Sequence, residues 1–132
     1  MGLRVHSEIS GGVLRLRASG TVTLGELRST LQALYSGDAR TAAMDALWDF
    51  SQATMAVSSD DLEHLAEFVS HHWGEGGDSR SAIVAADDLA FGLARVYGAR
   101  VRPRVQSQVR IFRDRERALA WLTSPRTQGG GQ

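Results

Sequence analysis

Apolar and polar residues alternate with a period of two at the start of the chain, which predicts two β-strands. In the first stretch, Leu3 to Ile9, the polar residues Arg4, His6 and Glu8 occupy every second position. Gly11-Gly12 is a hairpin signal, and a second strand is predicted from Val13 to about Ser19. The chain is therefore expected to open with an antiparallel hairpin.

The period then changes to that of an amphipathic helix. Thr23 and Glu26 fit a capping box, in which the Thr23 hydroxyl accepts from the Glu26 amide and the Glu26 carboxylate reaches back to the Thr23 amide. Three further apolar stripes with helical spacing follow Ser58-Ser59, Asp87-Asp88 and Asp114. Four helices are expected, each opened by a polar capping residue.

Short apolar runs between these helices predict buried strands. They cover Ala46–Phe50, Ser81–Ala85 and Val105–Phe112, and a polar loop is expected from Ser51 to Thr54. The order is β-β-α-β-α-β-α-β-α. It predicts an α/β domain whose mixed, mostly parallel sheet begins with the antiparallel hairpin and has helices packed on it. The domain is predicted to span residues 1–123, followed by a disordered Gly- and Gln-rich tail, 124–132.

Length and composition narrow the classes of protein. A chain of 132 residues has the usual size of one domain. It contains no cysteine, which excludes disulfides, thiolate zinc sites and thiol nucleophiles. No apolar run is long enough for a signal peptide or a membrane span, so we expect a cytoplasmic location.

Charge is balanced overall but unevenly distributed. All fifteen basic residues are arginine; residues 1–94 carry a net charge of −7 and residues 95–132 carry +7. We expect the two parts to neutralise each other within one fold, and a homodimer held by complementary charge is the alternative. Few aromatic residues interleave the arginines and the pI is about 6.9, which argues against nucleic-acid binding.

Three stretches, together with the element order, resemble the STAS domain in its SpoIIAA-like, anti-sigma-factor-antagonist-like branch. The first is 47–51 (LWDFS), followed by Ser58-Ser59 at the start of a helix. The second is 91–97 (FGLARVY), and the third is 109–113 (VRIFR) with 118–122 (ALAWL). The resemblance covers roughly residues 3–123.

The resemblance implies a fold and a class of function. STAS domains bind protein partners, nucleotides or apolar ligands and generally do not catalyse reactions. In the antagonists, phosphorylation of a serine in an Asp-Ser-Ser/Thr-Gly turn switches partner affinity. This chain keeps Ser58 and Ser59 there, but has Val57 in place of the aspartate and Asp60 in place of the glycine.

These residues have structural explanations beside the functional one. One of the two serines is expected to cap the helix, and Asp60 and Asp61 would repel a phosphate. His64, Glu67 and His71 share one helix face at i, i+3 and i+7, but this spacing lacks the i, i+4 histidine pair of zinc-protease helices. We therefore predict no metal, no cofactor and no catalytic residue.

Two hypotheses of function follow. The first is a non-enzymatic regulatory or protein-interaction domain with a protein partner. Its phosphoswitch would be Ser58 or Ser59, and its partner or ligand surface comprises Ser51, Met55, Asp60, Asp61, His64, Glu67, Phe68, Phe91 and Tyr97. The alternative is a carrier or sensor of a small apolar or lipid-like ligand, in a pocket lined by Trp73, Phe68, Phe91 and Tyr97. An exposed apolar patch around the second helix would favour the first, and an apolar cavity the second.

Overall fold

Four α-helices pack on a five-stranded sheet. The computed structural model describes residues 2–37, 44–73, 79–105 and 107–125, and for Trp73 only the backbone. In chain order the elements are β1 Arg4–Ser10, β2 Val13–Val22, α1 Leu24–Ser36, β3 Asp45–Met55, α2 Ser59–Trp73, β4 Arg80–Val84, α3 Asp88–Val101, a 3₁₀ turn Arg102–Arg104, β5 Gln108–Phe112 and α4 Arg115–Leu122.

The strands lie side by side in sequence order, β1-β2-β3-β4-β5. β1 is antiparallel to β2, and all other neighbours are parallel. Gly11 and Gly12 have φ of 61° and 78°, which a tight two-residue hairpin turn requires and which glycine adopts without strain. The predicted mixed sheet and element order are confirmed.

Two strand predictions need correction. The polar loop predicted from Ser51 to Thr54 is wrong, because β3 continues to Met55 and stays paired with β2 as far as Val22. The register shifts by one residue at Ala18, and the pairing with β2 continues beyond it. Ala53, within the predicted loop, is buried. Polar residues are tolerated here because β3 does not pair with β4 beyond Asp49. Ser51, Gln52 and Thr54 are therefore exposed to water although they belong to a strand.

The last strand is shorter than predicted. It begins at Gln108 rather than Val105, and Gln106 lies outside the described residues. Pro103 instead sits in the 3₁₀ turn that follows α3. Proline suits such a turn because its fixed φ matches helical geometry and it has no N–H to leave unpaired.

Each face of the sheet has its own apolar core. Helices α1, α2 and α3 cover one face, which we call the three-helix face. Its buried side chains include Leu14, Leu16, Leu27, Leu31, Trp48, Phe50, Leu65, Val69, Ile83, Val101 and Val109. The short α4 covers part of the other face, the α4 face, whose buried side chains are Val13, Leu47, Ala82, Val84, Ala118 and Leu122.

Two polar contacts anchor the ends of the domain. Glu26 accepts from the Leu3 N–H at 2.9 Å and from the Thr23 hydroxyl at 3.1 Å, so its carboxylate ties β1 to α1 and does not take the Thr23 amide as predicted. The buried Arg80 donates to carbonyls of Trp121 and Ser124 at the end of α4. Residues 126–132 of the predicted tail lie outside the described residues.

Ion pairs join the acidic and basic parts of the chain. Glu63 on α2 pairs with Arg100 and Arg104, Asp88 pairs with Arg113, and buried Asp49 pairs with Arg115 at 3.4 Å. The predicted neutralisation within one fold is confirmed for these pairs. No helix among the described residues is both long and apolar enough to cross a membrane.

Candidate functional site

The junction between β3 and α2 carries the two serines singled out in the sequence. Ser58 is the helix cap: its hydroxyl accepts from the Asp61 N–H at 3.0 Å, and its own N–H donates to Asp61 Oδ2 at 2.9 Å. This reciprocal pair is a capping box with aspartate in the usual glutamate position. Ser58, Ser59 and Asp60 are exposed.

The rest of the predicted partner surface is divided between several elements. Ser51 is exposed on β3, where its hydroxyl donates to Asp49, while Met55 at the end of β3 is half-buried. His64 and Glu67 are exposed on α2. No three His, Asp or Glu side chains within the described ranges are grouped so as to hold a metal ion.

The side chains of α2 that the structure describes, from Ser59 to His72, include no large exposed apolar residue. Among the described residues such side chains occur at Ile9, 59% exposed at the end of β1, and at Leu89, 65% exposed at the start of α3. The apolar patch around α2 that a protein-interaction surface would show is therefore not present on the described part of that helix.

A cavity lies instead between the sheet and its three helices. Its volume is about 90 Å³. The sheet contributes the floor, formed mainly by apolar side chains of β3, β4 and β5: Trp48, Phe50, Met55, Ser81, Ile83, Ala85 and Val109. These residues alternate along their strands with those of the α4 face, so the cavity belongs to the three-helix face alone.

The helices supply the walls, together with Val105 and Ser107 before β5. The lining residues of α1 are Leu27, Leu31 and Tyr35, those of α2 are Leu62, Leu65 and Val69, and those of α3 are Ala90, Leu93, Ala94, Tyr97 and Val101. The α2 lining is buried, whereas Leu93, Ala94 and Tyr97 keep partial exposure. Solvent therefore reaches the lining on α3 more readily than that on α2.

Among the described residues, the lining carries no ionisable acid or base other than two phenols. Burial raises the pKa of Tyr97 above the ordinary value, and burial together with the neighbouring Tyr97 raises the pKa of Tyr35. Both phenols stay neutral at physiological pH. The remaining polar side chains are the hydroxyls of Ser81 and Ser107 and the indole of Trp48, all uncharged.

Four aromatic residues were predicted to line a pocket, and the three whose side chains are described are not brought together. Tyr97 lines the cavity. Phe68 packs instead between α1 and α2, 4.4 Å from the His72 ring and 6.1 Å from the Tyr35 ring, measured between ring centroids. Phe91 stacks under Arg113 at 4.0 Å. The side chain of Trp73 lies outside the described residues.

A second, polar groove lies on the opposite face. It measures about 20 Å³ and is lined by His6, Glu8, Arg15, Leu16, Arg17, Leu47, Asp49 and Arg115. Its buried carboxylate, Asp49, is held by Arg115 and by the Ser51 N–H at 2.9 Å and hydroxyl at 2.6 Å. These bonds engage both oxygens of Asp49, so this buried carboxylate holds Arg115 and Ser51 in place.

A solved structure with the same arrangement is the crystal structure of an uncharacterized protein from the DUF3478 family with a SpoIIAA-like fold, from Shewanella loihica PV-4. It superposes with a TM-score of 0.55 at 20% sequence identity, over 92% of this chain and 94% of that one. The chain has a SpoIIAA-like fold. No protein-family model and no curated protein matches the sequence. At this identity the likeness concerns the fold.

Sequence reasoning found two of the residues that line the cavity, Met55 and Tyr97, and missed the rest. Trp48, Leu93 and Tyr35 occupied apolar positions of their strands and helices, and such residues normally fill a core. A signal was present in Ala94, a small residue on the inward side of α3. Small side chains at inward positions leave space that larger neighbours then surround.

Proposed function

We propose that this chain is a non-enzymatic binding domain whose cavity takes up a small, neutral, apolar molecule. The observation that carries the proposal is the apolar cavity between the sheet and α1, α2 and α3. Of the two hypotheses drawn from the sequence, it favours the carrier or sensor of an apolar ligand over the protein-interaction domain.

The absence of charge in the described lining defines the chemical class of the ligand. An ion moved into an apolar cavity loses its hydration, and no described lining residue carries an opposite charge to compensate. A hydroxyl, ester or carbonyl group could accept a hydrogen bond from a neutral phenol or serine. Neutral alkyl alcohols and esters therefore fit better than fatty acids or phosphates.

Volume limits the size of the ligand. The cavity of about 90 Å³ is larger than one water needs and smaller than the ~150 Å³ engineered cavity that holds benzene. A chain of more than a few carbons has to displace a wall. The α3 wall is the natural candidate, because Leu93, Ala94 and Tyr97 retain exposure there.

Thermal unfolding with n-octanol tests the proposal. A ligand that binds only the folded state raises the melting temperature in a saturable way. Ala94→Leu should place a larger side chain in the cavity and abolish that rise. Filling the space also recovers at most about 2 kcal/mol of cavity cost, so we expect Ala94→Leu to be folded and no less stable than the parent.

Ala99→Leu is the matched control, because Ala99 is exposed on the same helix and does not line the cavity. It should keep the response to octanol. The proposal is wrong if octanol has no saturable effect on the parent, or if Ala94→Leu responds as the parent does. If instead both variants behave as expected, native mass spectrometry of protein purified from its own host would identify the natural ligand by mass.

A regulatory, partner-binding role is the second candidate, favoured by the exposure of Ser58 and Ser59 at the start of α2. A phosphate on Ser58 would lie among the free N–H groups of the helix end, which favour it, and beside Asp60 and Asp61, which oppose it. Mapping phosphorylation in protein from its own host tests this role. Phosphate on neither serine, together with no co-purifying protein, would contradict it.

A further inference from the structure

The outer edge of β1 is unpaired within the described part of the chain. β1 is the terminal strand of the sheet and bonds only to β2. The two-residue turn makes Ser10 and Val13 a hydrogen-bonded pair, and such pairs recur at every second residue. Val5, Ser7 and Ile9 therefore direct their N–H and C=O groups away from β2. An exposed edge of this kind is a template for another strand.

The order of charges along this edge is complementary to the same order in a second copy that runs in the opposite direction. Arg4, His6 and Glu8 lie on one side of the strand, and all three are exposed. If a second copy approaches antiparallel with the two-fold axis at His6, Arg4 of each copy faces Glu8 of the other. Opposite charges directly across an antiparallel pair are stabilising, and like charges are destabilising.

The apolar side of the strand agrees with the same register. There Ile9 of one copy faces Leu3 of the other, and Val5 faces Ser7. Ile9 is one of the two large apolar residues left exposed in the described structure. The Leu3 N–H is already bound to Glu26, but its carbonyl is on the outer edge and can accept from Ile9 of the partner.

We propose that two copies of this chain pair through their β1 edges, antiparallel and centred on His6, forming one continuous ten-stranded sheet. The interface is isologous, since each contact between Arg4 and Glu8 occurs twice. It leaves the cavity on the three-helix face uncovered and is independent of what that cavity binds.

Single cysteines test the register, because the chain has none of its own. With the axis at His6, the two Cα atoms of residue 6 are a non-hydrogen-bonded pair about 4.5 Å apart, within the range that a disulfide spans. We expect His6→Cys to form a covalent dimer on mild oxidation. In Ser7→Cys the two Cα atoms would be roughly 8–9 Å apart, too far for the bond.

Charge reversal tests the contacts. Arg4→Glu and Glu8→Arg should each weaken dimerisation, measured by sedimentation at several protein concentrations, and the double variant should restore it. Both substitutions are at exposed positions, so we expect all three variants to keep the fold. A dimer linked through residue 7 in preference to residue 6, no dimer in the parent, or a double variant as weak as the singles would each overturn the proposal.

Discussion

The two faces of the sheet differ in how closely their apolar side chains pack. On the α4 face, Leu47, Ala82 and Ala118 are at most 1% exposed, and the groove that Leu47 borders measures only about 20 Å³. On the three-helix face, more elements meet, yet they leave about 90 Å³ of space between them. A short helix lying close against small residues packs more closely than three helices that converge on the bulky Trp48 and Phe50. Protein interiors are normally close-packed, so a gap is informative.

The polar contacts differ in the same way. On the α4 face, Arg80 and Asp49 are buried and their hydrogen bonds hold α4 against the sheet. The helix α3 of the other face is held at its ends by exposed or half-exposed pairs, from Asp88 to Arg113 and from Glu63 to Arg100 and Arg104. Exposed ion pairs contribute little stability. The difference implies that polar contacts hold α4 to the sheet more firmly than they hold α3.

The largest expected effect comes from matched leucine truncations on the two faces. Leu47→Ala should cost about 2–5 kcal/mol of the free energy of unfolding, because Leu47 is 1% exposed in the apolar core of the α4 face. Leu93→Ala should cost clearly less, since Leu93 borders a cavity and is already half-exposed. Urea denaturation of both variants measures the difference. Equal costs would mean that the two faces pack alike.

Enlarging an alanine on each face sharpens the comparison. Ala118→Leu adds carbons where no space exists and should cost about 1–3 kcal/mol by overpacking. Ala94→Leu should cost nothing or stabilise, because its side chain enters the cavity. Melting temperatures of the two variants compare them directly, and a destabilised Ala94→Leu would contradict the cavity.

The start of α2 provides a smaller effect. Ser58→Ala removes the oxygen that accepts from the Asp61 N–H and should cost about 1 kcal/mol. Ser59→Ala is the matched control: Ser59 is exposed within the first turn, so its loss should change the unfolding free energy by only a few tenths. If Ser59→Ala is the more destabilising variant, Ser58 is not the helix cap.

Alkaline pH gives the smallest effect. The two tyrosines of the chain both line the cavity, and burial raises the pKa of each in the folded state above the unfolded value of 10.0. Their contribution to stability is therefore complete below pH 10 and is lost as the pH rises from there. Absorbance at 295 nm should show almost no phenolate in the folded chain at pH 10. Half-ionised tyrosines at that pH would mean that the cavity walls are open to water.

The sequence predicted the fold better than the site, because the fold depends on local sequence patterns and the site depends on packing between distant elements. Period-two alternation, glycine at a tight turn and polar caps at Thr23, Asp87 and Asp114 are local, and all were confirmed. The cavity depends on how α1, α2 and α3 pack against the sheet. No local pattern encodes that packing, so Met55 and Tyr97 could be suspected while Tyr35 and Leu93 could not.

The most direct test of an accessible apolar cavity is an NMR titration of the ¹⁵N-labelled protein with n-octanol. We expect saturable amide shifts at lining residues such as Leu65, Ile83 and Tyr97, and little change at Leu119 and Leu122 on the α4 face. Shifts that do not saturate, or that are as large on the α4 face as around the cavity, would contradict the proposal that this domain binds an apolar ligand between its sheet and three helices.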